Sequence, residues 1–232
     1  MTGTIIELAI AAFAFVGSHF YLSSGSLRAR LVDRVGERGF LGIYSIVSLS
    51  LLIWTIAAYA GSLYLEIWSP PGLFAILPLI VMPAALYLVI AGNSQPNPTA
   101  VGAKPDLDRA RPAPGVFAIT RHPVMWGIGS FALSHLAVNG DLASILLFGS
   151  IAFLALYGTR VIDAKKRRAW PAGQWERFAA ATSNLPFAAL AAGRVDLKLE
   201  DLGWWRMTLA AVVYFILLAT HSLFAGVPVL SI

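Results

Sequence analysis

Cysteine is absent from all 232 residues. That excludes disulfide staples, thiol nucleophiles, cysteine-based zinc sites and iron–sulfur ligation. Charge is scarce: Asp, Glu, Lys and Arg make up 12% of the chain, against about 25% in a soluble domain. An ordinary soluble enzyme and a disordered tail are both excluded. What is present is apolar, at 58% of residues. Charge-free runs cover Leu8–Leu27, Gly39–Leu65, Ile67–Ala103, His122–Gly140, Leu142–Thr159 and Met207–Ile232. A hydrocarbon core about 30 Å thick takes roughly 20 apolar residues per helix. The runs predict an all-α, polytopic membrane bundle with six spans, near 4–23, 40–61, 73–92, 122–140, 142–161 and 206–226. The whole chain, 1–232, reads as one transmembrane domain.

Basic residues are missing from every second connection. All 17 Lys and Arg fall in the first, third and fifth loops. The second and fourth loops and both ends hold only Glu7, Glu66 and Asp141. The positive-inside rule predicts cytoplasmic odd loops and two periplasmic termini. The net charge of +5 is thereby assigned to anionic lipid headgroups, and nucleic acid is not expected as a partner. The first run lacks a basic leading region and a small-residue cleavage pattern, so it reads as a retained signal anchor.

Two connections carry more than a turn. Asn93-Ser94-Gln95-Pro96-Asn97-Pro98 is a polar break. Residues 99–120, with Pro105, Pro112 and Pro114, read as an ordered loop or re-entrant segment. After the fifth span come the cluster Lys165–Arg168, then Trp170-Pro171, then a stretch from Gln174 to Asn184. Trp175, Phe178 and Ala179 recur at i, i+3 and i+4 there, which predicts a short amphipathic helix on the inner leaflet.

Only four histidines occur, and all four lie in or at the edge of a span: His19, His122, His135 and His221. Ionisable groups in a bilayer are costly and tend to mark function. A lone histidine there more commonly makes an interhelical hydrogen bond; four of four point to a shared site. A first-row metal site usually adds carboxylates or thiolates, and the spans hold no interior Asp or Glu. Two imidazoles on a haem therefore fit better than zinc. Arg28, Arg30 and Arg121 are candidates for its propionates. Depth along ideal helices pairs His19 with His122 and His135 with His221; a His19–His135 pair would differ in depth by about 12 Å.

Ser18-His19-Phe20-Tyr21, Thr120-Arg121-His122-Pro123, Ser134-His135 and the segment from Arg160 to Phe187 resemble the NnrU family of bacterial membrane proteins. They are also similar to the plant and cyanobacterial 15-cis-zeta-carotene isomerases. The resemblance implies a bacterial inner-membrane protein connected with nitrite and nitric oxide metabolism. From the isomerases it implies haem b, a lipophilic substrate and conversion of a cis double bond to trans. Carried across by motif, the two haem ligands fall on His19 and His135, with His122 and His221 as alternates. Both pairings stand at this point.

A second resemblance runs through Arg121-His122-Pro123, Gly127, Arg160, Asp163 and Trp175-Glu176-Arg177-Phe178. It is to the isoprenylcysteine carboxyl methyltransferase and phospholipid methyltransferase group. It implies S-adenosylmethionine binding through Arg121, His122 and Asp163. The group's acidic pair is here reduced to Asp163 followed by Ala164. Three functions follow as expectations: a haem-dependent redox protein or isomerase, a membrane methyltransferase, and a non-catalytic factor for assembling a nitrogen-oxide reductase. No residue pattern points to a particular protein partner.

Overall fold

The computed structural model describes residues 4–23, 25–100, 103, 115–227 and 229. The chain is all-helical. Its elements are α1 (Ile5–Leu22), α2 (Gly25–Ala60), a 3-10 turn (Gly72–Ala75), α3 (Ile76–Asn93), α4 (Val116–Ile119), α5 (Pro123–Val138), α6 (Leu142–Ala169), α7 (Gln174–Ala181), α8 (Ala188–Ala191), α9 (Leu199–Leu202) and α10 (Trp204–Ala225). Five stretches are long and apolar enough to cross a membrane: α1, α2, Gly72–Asn93, α6 and α10. The shorter apolar α5 has 16 residues, about 24 Å of rise. The six expected spans are thus met to within a few residues, except that two helices run far past their apolar parts.

The first of these is α2. Its arginines were expected in a loop, but residues 25–35 are helical. Leu27, Arg28, Ala29, Arg30 and Leu31 are good helix formers with no proline among them. The turn needed to start the second span is made inside the helix by Gly36, at φ 74° and ψ 168°, which a side-chain-bearing residue seldom adopts. The second is α6, which carries the basic cluster to Ala169. Lys and Arg in its last turn complement the negative end of the helix dipole.

Two compact units are present. One comprises Met1–Phe74 and His135–Leu154. Here α1 starts at Thr4, whose hydroxyl accepts the Glu7 N–H at 3.0 Å, a side-chain cap. Leu8, Ala58 and Ala143 are buried together, with Ile5, Tyr59 and Leu146 against them. Asp141 caps α6 by accepting the Ser144 N–H at 2.9 Å. The Ile67 and Trp68 N–H groups both donate to the Gly140 carbonyl, at 2.7 and 3.0 Å. A Cβ at Gly140 would overlap the Trp68 carbonyl, so only glycine fits this approach.

The other unit comprises Ala75–Ser134 and Ala155–Ile232. Its core gathers Leu88, Ala91, Val116, Phe117, Ile119 and Leu202. α5 lies close on α3, since a Cβ at Gly127 would sit 2.6 Å from the Ala85 carbonyl oxygen. α10 is tied to α3 by Tyr214, whose hydroxyl donates to the Leu79 carbonyl at 3.2 Å. Arg206 donates to the Ser94 hydroxyl at 2.8 Å. The amphipathic α7 exists, but its apolar face does not lie on a leaflet. Trp175 is 1% exposed and packs on Trp170 and Phe178, and Phe178 meets Phe117. Aromatic area sealed inside protein outcompetes the same area shared with headgroups. Of the stretch 99–120, residues 101–102 and 104–114 lie outside the described residues, so the re-entrant reading is not addressed; Val116–Ile119 is a buried helical turn.

Candidate functional site

Arg121, His122 and Asp163 converge. Thr120 sets this up: its hydroxyl accepts the His122 N–H at 3.2 Å and donates to the Asn184 carbonyl at 2.6 Å. The Arg121 N–H donates to the Ser183 carbonyl at 2.9 Å. The backbone before Pro123 is thereby pinned, with Thr120 itself extended at φ −155° and ψ 147°. One helical face of α6 then presents Thr159 and Asp163 (i, i+4). The Arg121 Nε donates to both Asp163 oxygens at 3.1 and 3.0 Å, and Nη2 adds a third bond. His122 donates from Nε2 to Asp163 Oδ1 at 2.6 Å. The side chain of His122 is fully buried, while those of Arg121 and Asp163 are each 15% exposed. With Nε2 carrying the proton, the His122 Nδ1 lone pair is buried and without a partner.

Beside this cluster runs a polar chain that the motif search did not identify. Trp126 Nε1 donates to Asn184 Oδ1 at 3.0 Å. Asn184 Nδ2 donates to Thr159 Oγ1 at 2.8 Å. Thr159 donates to the Leu156 carbonyl at 2.7 Å. Every donor finds an acceptor, so the network is satisfied in a setting where an unpaired group is costly. Asn184 closes the polar Thr182-Ser183-Asn184 step before Pro186; that step was its one sequence signal.

The other candidate residues are not members of this cluster. His19 and His135 both belong to the first unit. His19 Nδ1 lies 2.7 Å from the Phe15 carbonyl oxygen. A carbonyl only accepts, so Nδ1 carries the proton and Nε2 keeps its lone pair, the tautomer a metal ligand requires. Its ring meets Phe15 and Tyr44 edge-on, at 4.6 and 5.5 Å between centroids. His135 lies against Phe148 at 5.3 Å. Phe20, next to His19, meets Phe153 at 6.2 Å. Phe148 and Phe153 are five residues apart on α6, about 7.5 Å of rise. That offset is smaller than the 12 Å difference expected from ideal depths. His221, on α10 in the second unit, donates from Nδ1 to the Val227 carbonyl at 2.8 Å.

Of the three arginines considered for propionates, two are engaged by the chain's own carboxylates. Arg121 is held by Asp163, and Arg28 donates to Glu37 at 2.6 Å. Among the described residues no three His, Asp or Glu side chains form a metal cluster. Two-imidazole ligation asks for no such cluster.

No solved structure matches the chain. Among curated proteins it is similar to the chloroplastic 15-cis-zeta-carotene isomerase of Zea mays, 27% identical over 199 residues. The match covers 82% of this chain and 52% of the maize protein, so the chain spans about half the length of that relative. The NnrU protein family model matches residues 7–229, nearly the entire chain. On that match, carried through all six apolar helices, the chain belongs to the NnrU protein family.

Proposed function

We propose that this protein is a membrane isomerase-like haem protein acting on a lipophilic substrate, in which His19 and His135 would hold haem b. The observation that carries the reading is the His19 tautomer: Nδ1–H is committed to Phe15 and Nε2 is free. The resemblance to a carotene isomerase supplies the reaction class. Haem, when bound, would supply redox-switchable Lewis-acid chemistry there. The chain's residues do the rest. Phe15 and Tyr44 against the His19 ring, and Phe148 against the His135 ring, give both imidazoles aromatic neighbours, which suits an apolar, polyene-like substrate. The bacterial inner membrane with both termini periplasmic is the proposed location, from the one-sided placement of Lys and Arg.

The test is an absorption spectrum of detergent-purified protein. A Soret band with split α and β bands after dithionite supports the reading. A protein reconstituted with haem that shows no such bands overturns it. A role in nitrite or nitric oxide metabolism belongs to the same reading, with haem as the group that meets the nitrogen oxide.

The cluster at Asp163 favours a second reading, S-adenosylmethionine binding for methyl transfer. Arg121, His122 and Asp163 do assemble, but Arg121 and His122 point their donors at Asp163, which leaves less for a cofactor carboxylate. Calorimetry with S-adenosylmethionine separates the readings: binding that falls in Asp163→Asn supports methyl transfer, and no heat of binding to the parent ends it. The assembly-factor reading rests on family alone.

A further inference from the structure

A cleft of 640 Å³ opens where α1 ends and α2 begins, lined by Gly17, Phe20, Tyr21, Gly25, Ser26, Leu27 and Arg30. Gly17, Phe20 and Tyr21 share one face of α1, at i, i+3 and i+4. His19 projects from the opposite side at 100° per residue, toward Tyr44 of α2. The cleft therefore lies on the face of α1 away from the His19 ring. Its walls are mostly apolar, the space in front of Gly17 is open, since a Cβ there would meet nothing within 4 Å, and one cation stands in its lining.

That cation is Arg30. Its neighbour Arg28 is spent on Glu37 and lies over the Phe40 ring at 5.1 Å. Arg30 is exposed and has no partner among the described residues. A free guanidinium offers two parallel donors to a phosphate. The 18 residues of α1 rise about 27 Å, close to one hydrocarbon thickness. The cleft thus opens at headgroup depth, at the arginine-bearing end of the span.

We infer that this cleft is a binding site for one anionic phospholipid. Its phosphate pairs with Arg30, and an acyl chain lies along Phe20, Tyr21 and Leu27 in the space Gly17 leaves. Charge complementarity selects the occupant: an apolar groove with a single unpaired guanidinium at headgroup depth matches an amphiphile with one negative head. Arg30, the propionate candidate that no carboxylate engages among the described residues, is assigned here to a lipid phosphate, and the inference does not need haem to be bound.

Native mass spectrometry of the full-length protein, equilibrated with phosphatidylglycerol or phosphatidylcholine, tests it. The parent should retain one phosphatidylglycerol and not phosphatidylcholine, and excess inorganic phosphate should leave that adduct in place. Arg30→Gln should reduce the adduct about tenfold, the effect of one charge-assisted bond. Gly17→Leu should fill the groove and reduce it as far, with an unchanged melting temperature because its side chain enters open space. Arg34→Gln, outside the cleft, should keep it. Retention in both Arg30→Gln and Gly17→Leu overturns the site. So does equal loss in Arg34→Gln, equal retention of the two lipids, or displacement by inorganic phosphate, which would make this a site for the free anion. Should Arg30→Gln fail to fold, Gly17→Leu decides alone.

Discussion

Arg121 meets Asp163 side-on, its Nε between both carboxylate oxygens at 3.1 and 3.0 Å, and His122 completes the carboxylate's shell at 2.6 Å. The pair joins the start of α5 to α6 across 42 residues of chain. Removing one partner of a buried pair leaves the other uncompensated. Arg121→Met should therefore cost about 3 kcal/mol in unfolding free energy, and Arg121→Lys, which keeps charge but loses the fork, about 1 kcal/mol. Thermal denaturation in detergent reads both. If neither variant moves the midpoint, Arg121 is a headgroup anchor and the pair contributes nothing.

Haem ligation predicts a pattern across the histidines. His19→Ala and His135→Ala should each abolish the low-spin spectrum, while His221→Ala, on α10 in the second unit, should leave it unchanged. Loss in His19→Ala and His122→Ala with His135→Ala intact, or in His135→Ala and His221→Ala with His19→Ala intact, would instead favour the pairing by depth.

Asn184 bridges Trp126 and Thr159 with both ends of its amide. Asn184→Leu leaves the Trp126 indole N–H without an acceptor. The expected loss is about 2 kcal/mol, the cost of a stranded buried donor. A Trp126→Phe, Asn184→Leu double variant should recover part of it, since no donor is then stranded. A double variant that merely adds the two single losses would show that the two side chains are not coupled.

Gly140→Ala should be far more damaging than Gly17→Ala. A Cβ at Gly140 runs into the Trp68 carbonyl, whereas one at Gly17 meets open space. Expression yield and monodispersity in detergent should collapse for the first and match the parent for the second.

Topology carries a prediction of its own. Reporter fusions at Ile232 and within residues 165–175 should report opposite compartments, because Lys and Arg occupy only alternate connections. A reporter at the C-terminus that is active in the cytoplasm reverses the assignment.

The membrane spans were legible because hydropathy and length suffice when the solvent is hydrocarbon. The Arg-His-Pro motif and Asp163 were legible as a candidate cluster, but not that their charges are spent on one another. Spacing places side chains on a face and leaves their pairing open. The helical arm before Gly36 was hidden because clustered arginines resemble a loop when only hydropathy is weighed; helix propensity was the better guide. Trp126, Thr159 and Asn184 could not be linked from sequence, since each is unremarkable alone and their contact depends on tertiary packing. The inward turn of α7 was hidden for a related reason: an amphipathic helix has the same periodicity whether its apolar side meets lipid or protein.

The Trp126–Asn184–Thr159 chain also dictates an order of assembly. Asn184 lies 58 residues after Trp126 and 25 after Thr159. During synthesis Trp126 and Thr159 both leave the ribosome before the residue that joins them. Helix insertion and helix association are separable steps, and here the second waits on translation. A nascent chain halted before residue 184 should hold both helices in the membrane with the Trp126 and Thr159 ends still unjoined. Extending it past Phe187 should close that end, as seen by a sudden resistance of the Trp170–Gly173 turn to protease. Equal protease sensitivity at the two lengths would show that the join does not depend on Asn184.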